Sequence, residues 1–397
     1  MRLLRTPTFL AIALSHLSVD SLNGHVGIIL AALSGPLGLT NASLGLLATL
    51  YFMTNALTQP LFGWLSDKYG ARWFVAGGVL WMAIFFSLFA ATSGWISITF
   101  LILAALGSAA FHPPGTSRAS QIGQLQMAGR AATAASLFFL FGQAGLALGP
   151  ALGGFILDHL DRIGLLLTMT FVVPVGLFAA WQLRTEPNPV SAPNRKSHVD
   201  VAAPRADLPL FFLILLVSGF GTWAQMAATT FTPKFLHDQG ASPTTYGLVV
   251  AMYMVGSALG GLTGGILGDH WGKLRTVTLA STLAAIPFYF LPLANGFGVN
   301  LLAMLAGLFN GAPHSILITM AQRALPGRGS LASGLALGFM FTAGTLGSYL
   351  SGLIADSASL TFALQLNAAI ALISALLSLL LRLKRPTPVI FPLPTGD

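Results

Sequence analysis

Long apolar runs recur from one end of the chain to the other, and they constrain its fold more than any other feature. A membrane-spanning helix needs roughly 20 mainly apolar residues, and twelve runs between charged or Gly-, Pro- and Asn-rich breaks satisfy this. They lie at about 9–33, 43–66, 74–92, 97–117, 131–157, 163–183, 209–233, 244–267, 276–294, 299–321, 331–355 and 360–382. The sequence therefore predicts an all-α integral membrane protein with twelve transmembrane helices in a lipid bilayer.

The composition removes the main alternatives to this fold. Charged residues make up 8% of the 397 residues, whereas an ordinary soluble domain has roughly 25%, so too few charges remain to cover a water-facing surface. Soluble enzymes and nucleic-acid-binding proteins are thereby excluded, and no nucleic-acid partner is expected although the formal net charge is +8. The absence of cysteine excludes disulfides, thiolate metal sites and thiol nucleophiles.

The basic residues lie almost entirely on one side of the predicted helix bundle. Of the 19 Lys and Arg residues, only Arg162 and Lys234 fall away from the N-terminal ends of the odd-numbered segments. Cytoplasmic loops carry an excess of Lys and Arg. Both termini are therefore predicted to be cytoplasmic, in a multi-pass protein of the inner (cytoplasmic) membrane.

One long polar segment divides the chain into two parts. Residues 184–208 are rich in proline, charged and other polar side chains, which is typical of a flexible linker. The predicted domains are an N-terminal six-helix half at 1–183, a cytoplasmic linker at 184–208, a C-terminal six-helix half at 209–383 and a cytoplasmic tail at 384–397.

The two halves repeat one another at a constant offset of 202 residues. Asp67 aligns with Asp269, His112 aligns with His314, and Gly142 aligns with Gly344. The acidic and histidine pairs carry weight because the chain has only 11 acidic residues and 8 histidines. Two homologous six-helix halves are typical of secondary transporters that work by alternating access, with the substrate site near the midplane between the halves.

A short loop motif occurs twice, at equivalent places in the halves. Residues 63–72 read GWLSDKYGAR, and residues 265–275 read GILGDHWGKLR. Both resemble the G-x-L-x-D-R/K-x-G-R/K-R/K motif of the major facilitator superfamily. The resemblance implies the twelve-helix major facilitator fold with two pseudo-symmetric halves, and a charge latch that holds their cytoplasmic ends together in one state. The gating residues assigned to this side are Asp67, Lys68, Arg72, Arg118, Asp269, Lys273 and Arg275.

The fifth segment carries a second motif, GLALGPALGG at residues 145–154. It resembles the G-x-x-x-G-P-x-x-G-G signature of proton-driven antiporters in the same superfamily. Glycines four residues apart let two helices approach closely, and a proline kinks the helix. The resemblance implies export, while simple helix packing is the alternative. The signature residues are Gly145, Gly149, Pro150, Gly153 and Gly154.

Several short stretches of the N-terminal half resemble the fosmidomycin-resistance group of efflux proteins. They are SHLSVD at residues 15–20, Gln59-Pro60, Phe111-His112-Pro113 and Ser117-Arg118. One departure is Pro114, where that group often has an acidic residue.

Asp20 is the one acidic residue that lies well inside a predicted segment. An ionisable group at that depth is costly and is a functional candidate. His16 and Asn23 follow helical spacing from Asp20 and share its face, and His112 lies at a similar depth in the fourth segment. Burial and a cationic histidine act on the pKa of a carboxylate in opposite directions. Asp20 is therefore predicted to bind and release the coupling proton with His16 and His112, and a purely structural network is the alternative.

Other polar and aromatic side chains within the segments are predicted to line the substrate cavity, although each could instead pack between helices. They are Asn23, Asn55, Gln59, Phe111, Gln143, Thr222, Gln225, Tyr253, Asn310 and His314. No metal is predicted, although a histidine site at His16, His112 and His314 stays open. No cofactor is expected beyond the proton gradient.

These features predict a monomeric proton-coupled antiporter that exports a small molecule, drug-like or organic-anion-like. The alternatives are a proton-coupled symporter that takes up a small organic anion or metabolite, and a passive channel or membrane sensor. The chain contains no H-E-x-x-H or G-x-S-x-G motif and no nucleotide-binding glycine loop, so no enzyme is predicted.

Overall fold

The computed structural model describes residues 3–126, 131–185, 206–325 and 329–381. Most of the predicted linker at 184–208 and the whole predicted tail at 384–397 lie outside the described residues. Within the described ranges the chain is helical and contains no strand, which confirms the all-α prediction. The long helices are α1 Pro7–Ser34, α2 Asn41–Tyr69, α3 Ala71–Ala91, α4 Gly94–Gln126, α5 Ala131–Gly164, α6 Met169–Gln182, α7 Leu208–Asp238, α8 Pro243–Leu267, α9 Lys273–Phe290, α10 Phe297–Ala324, α11 Gly329–Ser357 and α12 Leu360–Leu380.

Eleven of these helices fall in stretches that are long and apolar enough to cross a membrane. In the described part of the chain there are nine such stretches, because Ser136–Gln182 contains both α5 and α6, and Pro243–Leu293 contains both α8 and α9. Helix α2 is not among them, and its middle carries polar residues such as Asn55 and Gln59. The count of twelve membrane crossings therefore stays a prediction.

The loop motifs end their helices through glycine. Gly70 has φ 96° between α2 and α3, and Gly272 has φ 99° immediately before α9. Side chains other than glycine rarely adopt this left-handed region. The glycine of the motif thus has a direct structural cause in both halves.

The signature glycines of α5 lie where other helices touch it. A Cβ atom has no room on Gly145 beside the Leu17 carbonyl, nor on Gly149 beside the Ser21 carbonyl. Gly153 packs against the ring of His25 in the same manner. These contacts bring the backbones of α1 and α5 together, as small residues do in membrane helices.

The two halves are joined at the end of the bundle opposite Arg184 and Asp207, which we call the outer end. Here Gly154 of α5 lies against the Pro243 carbonyl of α8, and Gly352 of α11 lies against the Asn41 carbonyl of α2. One buried apolar cluster extends across both halves and includes Phe138 and Phe231. A smaller cluster lies within the C-terminal half, and its members include Ile214, Val277 and Leu317.

Candidate functional site

The structure brings the three predicted proton-coupling residues together. The carboxylate of Asp20 lies between two imidazoles, with Oδ2 at 3.1 Å from Nε2 of His16 and Oδ1 at 3.3 Å from Nε2 of His112. Asp20 and His16 are only 7% and 2% exposed, whereas His112 is half-buried. The three side chains form the Asp20 cluster, which joins α1 to α4.

The remaining ring nitrogens fix how protons can be arranged in this cluster. Nδ1 of His16 lies 2.8 Å from the Phe138 carbonyl oxygen, and Nδ1 of His112 lies 2.8 Å from the Ser108 carbonyl oxygen. A carbonyl oxygen only accepts, so both Nδ1 atoms must carry hydrogen. Each Nε2 then forms a hydrogen bond with Asp20 only when a proton lies between them. The cluster therefore has places for two exchangeable protons.

A chain of uncharged polar groups holds the carboxylate in position. The Nδ2 group of Asn23 donates to Asp20 Oδ1 and to the Ser108 hydroxyl, both at 3.0 Å. Tyr51 of α2 donates its hydroxyl hydrogen to the Asn23 side-chain oxygen at 2.7 Å, and Asn55 donates to Ser108 at 3.1 Å. Burying polar groups of this kind costs free energy of folding unless each one has a hydrogen-bond partner. The network thus ties α1, α2 and α4 to one carboxylate.

Aromatic rings and glycines close the cluster on its other sides. The ring of Phe138 stacks on His16 with centroids 4.0 Å apart, and Phe111 lies 5.6 Å from the same imidazole. The backbone of Gly142 lies so close to both His16 and Asp20 that a Cβ atom would collide with them. These apolar surroundings exclude water from most of the carboxylate.

The equivalent place in the C-terminal half has a histidine but no acidic residue. Ser218, Thr222 and His314 occupy the positions that correspond to His16, Asp20 and His112 at the offset of 202. Together with Gln225 and Asn310 they line a small polar pocket between α7 and α10. The Asn310 amide donates to the Tyr253 hydroxyl at 3.0 Å. This pocket therefore offers hydrogen-bonding side chains and one histidine, but no acidic residue.

The predicted cavity residues fall into four groups. Asn23, Phe111 and Tyr253 are buried, and Tyr253 also lines a second small pocket between α7, α8 and α10. Asn55 and Gln59 are half-buried and bonded to each other at 3.1 Å. Thr222, Gln225, Asn310 and His314 line the pocket just described, and Gln143 is exposed on α5.

The gating residues lie apart from the Asp20 cluster. Among the described residues, Asp67 and Asp269 form no hydrogen bond or ion pair across the halves. Their basic neighbours contact other groups: Lys68 lies 5.1 Å from the Tyr69 ring centroid, Arg72 stacks near Trp73, Lys273 bonds Thr319 at 3.3 Å, and Arg118 bonds Gln121 at 3.0 Å. Arg275 is exposed. Among the described residues, Asp67 and Asp269 thus contribute no contact to the predicted latch.

Within the described ranges, one group of side chains also has the spacing to receive a metal ion. His16, Asp20 and His112 each offer a ligand atom, all within 4.8 Å of one another. Among the described residues, His314 is not part of this group and lines the pocket of the C-terminal half instead. A metal ion and protons would compete for the same lone pairs of the imidazoles and the carboxylate.

Two contributors to the site escaped sequence reasoning. Ser108 receives hydrogen bonds from two asparagines, whereas a serine within a helix more often bonds its own preceding turn. Phe138 acts through its backbone carbonyl as well as its ring, and a carbonyl leaves no trace in the sequence. The spacing of Asn23 from Asp20 was the one signal that pointed toward this network.

The comparisons with known proteins agree with this architecture. The family model described as Major Facilitator Superfamily matches residues 8–240 and 211–397. The fosmidomycin resistance protein of Escherichia coli (strain K12) is 28% identical over 376 residues, which cover 92% of this chain and 90% of that protein. A bacterial homolog of the human lysosomal transporter Spinster superposes with a TM-score of 0.80 at 15% identity, covering 95% and 97% of the two chains. The nucleoside transporter NupG gives a TM-score of 0.72 at 17% identity, covering 95% and 100%.

Proposed function

The chain belongs to the major facilitator superfamily, and we propose that this secondary transporter is a proton-coupled antiporter that exports a small molecule by alternating access. The observation that carries the proposal is the position of Asp20, buried between two imidazoles at 3.1 and 3.3 Å. Ionisable groups inside membrane helices are rare and mark ion or proton pathways. At the equivalent place in the C-terminal half, Thr222 stands at the position of Asp20.

In the proposed cycle, the Asp20 cluster carries protons during one half-cycle. The cavity carries the substrate during the other. His112 is the more exposed imidazole, so it exchanges protons with the cavity and passes them to Asp20. The ring of Phe138 covers His16, which provides the second place for an exchangeable proton. When the protons leave, lone pairs face the carboxylate, and the cluster loses the hydrogen bonds that stabilise it.

The substrate proposed is drug-like or organic-anion-like. The name of the E. coli relative, a resistance protein, supports export of a small toxic molecule. Thr222, Gln225, Asn310 and His314 would bind its polar groups, because they line one pocket and each carries a hydrogen-bonding side chain. The driving force is the proton gradient, and the protein acts as a monomer in the inner membrane with both termini in the cytoplasm.

A second candidate is uptake of a small organic anion together with protons. With both exchangeable protons present, the Asp20 cluster combines two cationic imidazoles with one carboxylate and so carries a net positive charge. A positive cavity would favour an anion in the same half-cycle as the protons. The direction of coupled flux separates the two candidates.

The test is transport into liposomes that contain the purified protein, with fosmidomycin as the compound and an internal dye that reports pH. Asp20→Asn keeps the shape of the side chain but cannot bind the proton. We expect this variant to lose proton-driven flux while it keeps exchange of fosmidomycin across the membrane without a pH gradient. Undiminished proton-driven flux would contradict the role of Asp20.

Two controls accompany this test. Asp238→Asn makes the same chemical change at an acid that pairs with Lys234 within α7, and it should leave coupling intact. A membrane-permeant metal chelator should have no effect on flux if protons occupy the cluster. Loss of wild-type flux upon chelation would instead indicate a metal ion.

A further inference from the structure

Two acidic residues at the outer end form hydrogen bonds with the opposite half of the molecule. Asp356, in the last turn of α11, accepts hydrogen bonds from the backbone N–H groups of Asn41 at 2.9 Å and Ala42 at 2.8 Å. These are the first two residues of α2. Asp158, near the end of α5, accepts a hydrogen bond from the Thr244 hydroxyl at 2.6 Å, in the first turn of α8.

The two contacts are related by the internal repeat. Helices α2 and α8 have their N-caps at Thr40 and Ser242, which are equivalent at the offset of 202. Asp158 and Asp356 are separated by 198 residues instead. The difference of four residues is about one helical turn, so both acids remain on the same helix face.

The close glycine contacts follow the same displaced register. Gly154 packs on the carbonyl of Pro243, and Gly352, again 198 residues later, packs on the carbonyl of Asn41. The outer ends of α5 and α11 are thus displaced by one turn relative to the rest of the repeat. Both nevertheless place an acid and a glycine at the start of a helix in the opposite half.

A carboxylate suits the start of a helix for two reasons. The first N–H groups of a helix lack partners within it, and the helix dipole places partial positive charge there. Hydrogen bonds to an ionised acceptor are also stronger than neutral ones. Both acids are exposed, so salt will weaken their attraction to the dipole, but the hydrogen bonds are directional and specific.

We propose that Asp158 and Asp356 form an outer gate, a pair of carboxylate caps that hold the outer ends of the halves together and must break for the protein to open on that side. Asp356 is the stronger cap, because it also accepts from the side-chain amide of Asn41 at 2.9 Å. Asp158 is the weaker one, because α8 begins with Pro243, which has no N–H group to donate.

The outer gate is independent of the proposed proton coupling. Its residues lie at the outer end, away from the Asp20 cluster, and their contacts exist whether or not protons drive the cycle. The predicted cytoplasmic latch at Asp67 forms no contact among the described residues while the outer caps are closed. This is the arrangement expected if the caps and the latch form in opposite access states.

The gate can be tested by the distance between spin labels on Ser93→Cys and Asn295→Cys, measured by pulsed electron paramagnetic resonance. Both positions are exposed in outer loops, one in each half, and they are related by the offset of 202. The chain has no native cysteine, so labels attach only there. Adding Asp356→Asn should raise the ratio of long-distance to short-distance populations by about tenfold, and Asp158→Asn should raise it less.

Two further variants decide the outcome. Asp356→Glu keeps the charge and should fall between the wild type and Asp356→Asn. Asp238→Asn is the matched control, since this outer acid pairs only within its own half among the described residues, and it should leave the distances unchanged. An unchanged distance distribution in Asp356→Asn, or an equal shift in Asp238→Asn, would overturn the proposal. Because no substrate or proton gradient is used, failure here leaves the proposed antiport untouched.

Discussion

The two halves of this transporter place different chemistry on the same framework. In the N-terminal half, His16, Asp20 and His112 form a cluster that can hold two exchangeable protons. In the C-terminal half, Ser218 and Thr222 stand at the equivalent places of the first two, and the site is a pocket without an acidic residue. The proposed function accordingly assigns proton binding to the N-terminal site and hydrogen bonding to the substrate to the C-terminal site.

The strongest challenge to this comparison is to place an acid at the equivalent position of the C-terminal half. Thr222 is 9% exposed, Ser218 supplies no imidazole, and His314 is the one histidine that lines the same pocket. We expect Thr222→Asp to lower the free energy of unfolding by about 1–3 kcal/mol, because a buried carboxyl group there finds fewer partners than Asp20 has. Thermal unfolding in detergent would measure this, and adding Ser218→His should recover part of the loss. Unchanged stability in Thr222→Asp would mean that the halves are interchangeable.

A similar effect is expected from a single added methyl group beside the cluster. In Gly142→Ala, the new Cβ would collide with His16 Nε2 and Asp20 Oδ2, so either the imidazole or the helix must shift. We expect a loss of about 1–3 kcal/mol in unfolding free energy, together with reduced proton-driven flux. Gly77→Ala in α3 is the control, because no atom lies within 4 Å of its added Cβ. Equal behaviour of the two variants would count against tight packing around the cluster.

The paired histidines allow the halves to be compared with the same substitution. His112→Gln removes a titratable group that contacts Asp20 at 3.3 Å, and we expect proton-driven flux to fall by about tenfold or more. His314→Gln replaces a side chain that lines the pocket of the C-terminal half. This substitution should mainly raise the substrate concentration needed for half-maximal flux. Liposome transport at several fosmidomycin concentrations distinguishes these outcomes. A comparable loss of coupling in His314→Gln would place proton chemistry in both halves.

The smallest effect is expected at the loop motif. Asp67 is exposed and, in the described part of the chain, makes no contact to lose, so Asp67→Ala should change the unfolding free energy by less than about 0.5 kcal/mol. We expect Asp67→Ala to remove a contact that forms only in the other access state. The equilibrium between the two access states should then shift toward the cytoplasm-open form. Labelling of single cysteines from each side of the membrane would detect the shift. Equal labelling of the wild type and the variant would argue against a latch.

The sequence predicted the helical architecture and the central carboxylate for clear reasons. Apolar runs of about 20 residues leave few alternatives to membrane helices. With only 11 acidic residues in the chain, the single acid inside a helix stood out. The rarity of Asp and His also revealed the repeat, which small and apolar residues alone could not have done.

What escaped prediction depends on three-dimensional partners. Asp158 and Asp356 were visible only as acids near segment ends, and nothing in the sequence indicates that they bind the first turns of α8 and α2. The one-turn displacement of α5 and α11 hides this relation from a comparison at constant offset. The burial of Asn23 and Tyr253 also could not be foreseen, because polar residues inside helices face a cavity or a neighbour with equal ease.

The contact between Gly142 and the Asp20 cluster has a consequence for how such proteins can change over generations. A lineage that keeps the histidine–carboxylate arrangement has no freedom at position 142, since even alanine collides with it. A lineage that has replaced Asp20 by a smaller neutral residue is released from that restriction. Position 142 should therefore vary together with position 20 among descendants, so that a side chain there marks a transporter that has given up this form of coupling.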